Sequence, residues 1–166
     1  DALGIAAGLH ELFRDSDVFE MANYAQTVNV IGAIKTTATE AELEPTGLVL
    51  ALYRRHFGSL PLAVREQPKP LDVAAAWTSD HGALTLAVVN PTPESRSVRI
   101  DVPGVPLAAQ GRRFVLTGAG PLAHNAPGRQ RGVTLEEEAA PGLQEPVVVA
   151  PFSVTLVVLD VDGKTM

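Results

Sequence analysis

The chain changes its hydrophobic period once, and that change divides it. Ile5, Leu9, Leu12 and Phe13 recur at helical spacing, with Glu11 and Arg14 on the opposite side, so the pattern predicts an amphipathic helix within residues 1–17. Asp15-Ser16-Asp17 ends it. Val18 to Ala25 is an apolar run too short for a helix and nearly without alternation, which suits a strand covered on both faces, as in a parallel sheet. Gln26 to Thr39 mixes polar, small and Thr residues and reads as an irregular loop. Pro45 fits the first turn of a second helix, where its missing N–H is not needed. That helix runs through Leu48 and Leu52 to Phe57, with Gly58 as its stop. Residues 1–64 therefore read as helix, strand, loop, helix.

Residues 65–70, Arg-Glu-Gln-Pro-Lys-Pro, form a connector, and from Leu71 the period is two. Val73, Ala75 and Trp77 alternate with their neighbours, and Ser79-Asp80-His81-Gly82 turns the chain with Gly82 where positive φ is expected. Leu84, Leu86 and Val88 return, which completes a hairpin. Further strands are expected at 97–102, 112–117, 132–137 and 152–161, with a weaker one at 147–149. Short strands separated by Gly/Pro turns, with no helix between them, indicate an antiparallel sandwich or barrel over 71–166.

Composition narrows the function classes. A chain of 166 residues buries roughly 70% of its unfolded surface, so a core needs neither disulfide nor metal. There is no cysteine, which removes disulfides, thiolate metal sites and a cysteine nucleophile. The net charge of −6 argues against nucleic acid as a partner. No apolar run approaches the ~20 residues that span a bilayer, so no membrane partner is expected. Asp1-Ala2-Leu3-Gly4-Ile5 enters a helical pattern with no initiator Met, basic segment or cleavage signature, and reads as the interior of a longer chain.

Most candidate chemistry dissolves on its context. Gly118-Ala119-Gly120-Pro121-Leu122-Ala123 follows a strand, but His124-Asn125-Ala126-Pro127-Gly128 cannot continue as the helix a dinucleotide site needs, so a surface loop is expected. His10, His56, His81 and His124 are scattered without metal spacing, and His10 and His56 read as packing or surface residues. No Gly-x-Ser-x-Gly elbow occurs. Glu136-Glu137-Glu138 reads as a solvated charge run. Trp77, the one Trp, alternates with Val73 and Ala75 and is expected on the core face of its strand. No cofactor and no metal are expected. Asn23, Gln26 and Asn29 differ from these, because they are amides at or just past the end of the apolar run 18–25. In a parallel barrel, active-site residues sit at the C-terminal ends of strands, and amides there hold sugar hydroxyls as donors and acceptors at once. Equally, such amides satisfy loop backbone. Spacing alone does not choose.

The stretch Ala22-Asn23-Tyr24-Ala25-Gln26-Thr27-Val28-Asn29 carries a family resemblance, supported by Leu71 to Trp77, Leu86 to Thr92 and Pro151 to Leu156. Over essentially its whole length the chain resembles the C-terminal part of glycoside hydrolase family 51 α-L-arabinofuranosidases. The resemblance implies a mixed fold, in which an antiparallel β-sandwich is preceded by an incomplete (β/α) barrel segment. Residues 1–17 would be the seventh barrel helix, 18–25 the eighth strand and 45–57 the eighth helix. Residues 1–64 would then be a barrel fragment, 65–70 the connector and 71–166 the sandwich. The implied activity is removal of terminal arabinofuranosyl groups with retention, which uses two carboxylates about 5 Å apart. By the resemblance both catalytic glutamates lie upstream of this chain, so it contains no catalytic residue and is expected to be inactive alone. Gln26 would line the sugar subsite, with Asn23 and Asn29 supporting it. The implied partners are an arabinofuranosyl-containing saccharide and the rest of the barrel or a second copy, and the implied location is cytoplasmic. Another class of function is a non-catalytic sandwich module for carbohydrate binding, structural support or oligomerisation. Its carbohydrate-binding form would require an exposed Trp77.

Overall fold

A computed structural model describes residues 1–142 and 144–162. Its centre is a six-stranded antiparallel sheet in the order β3-β4-β5-β10-β7-β8. These strands are β3 (Leu60–Leu62), β4 (Asp72–Trp77), β5 (Ala83–Asn90), β7 (Gln110–Gly118), β8 (Val133–Pro141) and β10 (Ser153–Asp160). Two short strands, β6 (Arg96–Val98) and β9 (Val147–Val149), pair with each other as a second sheet. The last strand, β10, lies between β5 and β7, so the chain closes by insertion into the middle of its own sheet.

Both faces of that sheet are covered, which explains its sequence. β5 is buried at every position and β10 at all but Asp160. Val154, Leu156 and Val158 face the helices α1 (Ala2–Arg14) and α2 (Pro45–His56), whereas Val157 and Leu159 face β6 and β9. β5 and β10 are apolar on both sides although the sheet is antiparallel, because one face carries helices and the other a small sheet. The predicted hairpin is β4–β5, with Trp77 opposite Leu84. At its turn the positive φ belongs to His81, not Gly82; Asp80 Oδ1 accepts the Gly82 N–H at 2.9 Å and closes the bend.

Both predicted helices form, with a different buried line on the first. The fully covered positions of α1 are Ala2, Ala6 and His10, while Ile5, Leu9 and Phe13 pack at the margin of the core. Small residues at i and i+4 let the helix lie close to α2, and the larger side chains fill the sides of the contact. In α2, Pro45 opens the first turn and Leu48, Val49, Leu52 and Tyr53 are buried. Gly58 is not a left-handed stop, since the helix ends on Phe57 in extended geometry. A Cβ at Gly58 would collide with the Trp77 carbonyl oxygen, so glycine is required there for close approach to β4.

Val18 to Ala25 departs from its expectation. It is not a strand; it is irregular and mostly exposed, including Val18, Phe19 and Met21. A strand exists only through its partners, and among the described residues none lies alongside it. The loop expected over 26–39 contains the start of a hairpin of β1 (Ile34–Thr36) and β2 (Ala41–Leu43). The connector carries Gln67, whose amide bonds both backbone groups of Val73. Because β3 pairs with β4, the main sheet begins upstream of residues 65–70.

Candidate functional site

The three candidate amides lie on one exposed segment. Asn23 and Gln26 face solvent, and among the described residues neither side chain has a hydrogen-bond partner. Gln26, Asn29 and Val30 all have left-handed backbones, with φ of 56°, 57° and 44°. For Asn this is common, and for a β-branched Val it is strained. Several bonds hold the turn in shape. Asn29 N–H donates to the Ile34 carbonyl at 2.7 Å, Tyr24 Oη–H to the Ile31 carbonyl at 2.7 Å, and Lys35 Nζ to the Val30 carbonyl at 2.5 Å.

Asn29 is therefore separated from the other two by chemistry. Its Oδ1 accepts the Thr36 N–H at 2.8 Å and its Nδ2 donates to Thr36 Oγ1 at 2.9 Å. Both ends of the amide are committed to β1, so Asn29 shapes the turn. Asn23 and Gln26 retain free donors and acceptors.

A loop of the sandwich meets this region from the other side. Residues 119–132 form turns and irregular backbone with no helix, as the Pro and Gly positions predict. Fully buried Asn125 donates to the carbonyls of Leu43 at 3.2 Å and Val133 at 3.1 Å, and accepts the Val133 N–H at 2.9 Å. Arg131 Nη2 pairs with Glu42 Oε1 at 2.9 Å. The hairpin β1–β2 is thus gripped between α2 and this loop. A Cβ at Gly47 would lie 2.5 Å from the Ala33 carbonyl oxygen, so close approach of α2 to the hairpin also requires glycine.

Exposed apolar side chains surround the candidate turn. Met21 is 76% exposed, Val30 79% and Ile31 65%, with Val18, Phe19 and Val28 also open. Isolated exposed apolar residues are ordinary, whereas here six fall within residues 18–31.

The other sequence candidates resolve plainly. Trp77 is half-buried at the end of the face it shares with Val73, its ring 6.5 Å from that of His81. Glu137 and Glu138 pair with Arg112 and Arg113 across β7 and β8, as a solvated run does. Among the described residues no three His, Asp or Glu side chains converge as metal ligands, and no helix is long and apolar enough to cross a membrane. His56 stacks on Phe114 at 4.0 Å. His10 is the surprise of the set, because it is fully buried between Asp72 and Tyr53. Periodicity placed it near the apolar face, but its partners lie 62 and 43 residues away and leave no local signal.

A six-stranded sheet with a helix pair on one face, a small second sheet on the other and an amide-bearing turn beside the helices defines a β-sandwich unit with an appended helical segment. The chain belongs to the α-L-arabinofuranosidase C-terminal domain family, whose model matches residues 1–153. Among solved structures it is similar to the α-L-arabinofuranosidase of Thermotoga maritima in complex with arabinose, at 25% identity and TM-score 0.81 over 97% of this chain and 38% of that one. It is likewise similar to the thermostable GH51 α-L-arabinofuranosidase of Thermotoga petrophila RKU-1, at 25% identity and TM-score 0.78 over 95% of this chain and 37% of that one. The GH51 arabinofuranosidase of Xanthomonas axonopodis pv. citri shares the fold, with 24% identity and TM-score 0.77 over 96% of this chain and 35% of that one. The chain thus spans less than two-fifths of the length of these relatives. No curated protein matches it.

Proposed function

We propose that this chain acts as the C-terminal portion of a retaining α-L-arabinofuranosidase, which cleaves terminal arabinofuranosyl groups from arabinose-containing saccharides. The observation that carries this reading is the family match over 1–153 together with near-complete coverage of this chain by the arabinofuranosidase structures. Residues 1–64 would be the last part of the barrel, with Val18 to Ala25 becoming its eighth strand once parallel neighbours flank it. The exposed apolar side chains of that segment support this, since a barrel would cover them. Retention needs a nucleophile and an acid/base about 5 Å apart across the scissile bond. Both would come from barrel strands outside this chain.

Gln26 would line the sugar subsite, with Asn23 beside it and Asn29 holding the turn through Thr36. An amide with both ends free suits a sugar hydroxyl, which donates and accepts together. The reading brings with it, from the resemblance, contacts with the remaining barrel or a second copy and a cytoplasmic location. A carbohydrate-binding module would use an exposed Trp77, whereas Trp77 is half-buried with its ring 6.5 Å from that of His81.

The test has two arms. The purified 166-residue chain should show no turnover of an aryl α-L-arabinofuranoside; turnover free of host enzyme would refute the reading. In the enzyme that carries this chain, Gln26→Ala should lower kcat/KM by about 1–3 kcal/mol of lost hydrogen bonding. Unchanged kinetics would remove Gln26 from the site.

A further inference from the structure

The turn proposed to meet the sugar is not anchored by its own segment alone. Thr36 holds Asn29 by two hydrogen bonds, and the Ile34 N–H donates to the Thr27 carbonyl at 3.0 Å, so β1 fixes the turn. β1 in turn is registered on β2, with Lys35 opposite Glu42 and Ile34 opposite Leu43. Those two β2 residues are the ones the sandwich loop takes hold of, Glu42 through Arg131 and Leu43 through Asn125. Glu42 Oε1 also accepts the Leu43 N–H at 3.0 Å, which ties the two contacts into one. Asn125 is 0% exposed and bonded at both ends, so its position is set by the sheet through Val133.

We infer that the sandwich loop 119–132 is a positioning element for the saccharide-facing turn 23–29, acting through the β1–β2 hairpin, with Asn125 and Arg131 as its positioning residues. This deepens the proposed function and rests on its assignment of Gln26 to the sugar subsite. Neither residue touches the sugar. Each fixes the hairpin that fixes the turn, and a misplaced hydrogen-bonding group loses binding even when its own side chain is intact. The sandwich then serves the site through the hairpin as well as supporting the barrel.

Amide exchange on the 166-residue chain tests the mechanical part. Arg131→Gln should speed exchange across 27–36 while β10 stays protected, Arg131→Lys should restore it, and Glu42→Gln combined with Arg131→Gln should add little further. Asn125→Ala should act on the same amides. Exchange at 27–36 left unchanged by both Arg131→Gln and Asn125→Ala would overturn the inference, as would a uniform rise over the whole chain. In the enzyme that carries the chain, Arg131→Gln should raise KM for an aryl α-L-arabinofuranoside up to about fivefold, the most an exposed ion pair transmits, with kcat little changed. If Gln26→Ala impairs the enzyme while Arg131→Gln and Asn125→Ala leave KM unaltered, the positioning role fails and the subsite stands. If Gln26→Ala has no effect, the subsite itself fails.

Discussion

His10 and Tyr53 meet inside the contact between the two helices, with Nε2 and Oη 2.6 Å apart. On its other side His10 Nδ1 lies 2.7 Å from Asp72 Oδ1, the first residue of β4. An ionised carboxylate only accepts, so Nδ1 carries the proton and Nε2 accepts from the tyrosine hydroxyl. Burial and the charge of Asp72 raise the Tyr53 phenol, which keeps that hydroxyl protonated. Arg14 completes the cluster by donating to Asp72 Oδ1 and, at 3.2 Å, to the Val73 carbonyl. One imidazole thereby joins α1, α2 and the main sheet.

The cluster makes the chain sensitive to acid. Burial lowers the His10 pKa below the ordinary 6.5, outweighing the Asp72 contact, which raises it; Arg14 lowers and Glu11 raises it further. A histidine that binds its proton more weakly when folded stabilises the fold above the unfolded pKa, and that stability is lost as pH falls through about 6.5 toward the depressed value. Burial alone would raise Asp72, but its bonds to Arg14 and His10 hold it below the ordinary range, so further stability is lost as pH drops through about 3.8. His56, lowered by burial and by Arg112, contributes with the same sign. Urea midpoints should therefore fall steadily from pH 7 to pH 5, and His10→Gln should flatten that slope while leaving the His56 part. A slope unaltered by His10→Gln would contradict the assignment.

Tyr53→Phe keeps the ring packing against Phe57 and removes only the donor to Nε2. A buried acceptor left without a partner costs about 1–3 kcal/mol. Replacing His10 by Leu first removes the acceptor, so Tyr53→Phe should then cost clearly less. The check is a double-mutant cycle in denaturant, which should give a coupling energy well above the scatter of independent sites.

How much of this was legible follows from how far apart the causes lie in the chain. Strand and hairpin positions from β4 onward rest on alternation, a local property, and their extents followed within a few residues. The strands β1, β2 and β3 have three residues each and lie outside the period-two stretch, where so short a strand is not set apart from loop; β6 and β9, equally short, lie within it. The buried line Ala2, Ala6 and His10 was hidden because a hydrophobicity pattern ranks Ile5 and Leu9 above alanine, although alanine is what close helix contact needs. The same holds for Gly58, whose requirement comes from the Trp77 carbonyl across the sheet. At the candidate site, spacing offered Asn23, Gln26 and Asn29 as equals. Only the fold distinguished Asn29, through a partner seven residues on, and only the fold disclosed Asn125 and Arg131, which reach back across 82 and 89 residues.

The central strand carries both cores, so a cavity in it should be felt by the whole molecule. Leu156 is 0% exposed among Val49, Leu52 and Phe114 on the helix side, directly behind Val157 and Leu159 on the other. Leu156→Ala should destabilise by about 2–5 kcal/mol, the range for a buried leucine whose surroundings cannot collapse. Unfolding followed by Trp77 emission and by helical circular dichroism should move together. Separate midpoints would show that the helix pair and the sheet are not one cooperative unit.

Val30 offers the opposite case, a residue whose loss should not harm the fold. Its φ of 44° places a β-branched side chain in the left-handed region, and at 79% exposure that side chain makes little packing in return. The left-handed backbone costs an L-residue about 1–2 kcal/mol, and glycine avoids it while giving back about 0.5–1 kcal/mol in unfolded-chain entropy. Val30→Gly should therefore leave stability unchanged or raise it by up to about 1 kcal/mol, where Val98→Gly, on a buried strand position, should destabilise strongly. Paired denaturation curves of the two variants provide the check. A loss above 1 kcal/mol at position 30 would mean that the left-handed turn, and with it the geometry presented by Gln26, is not the conformation the chain adopts.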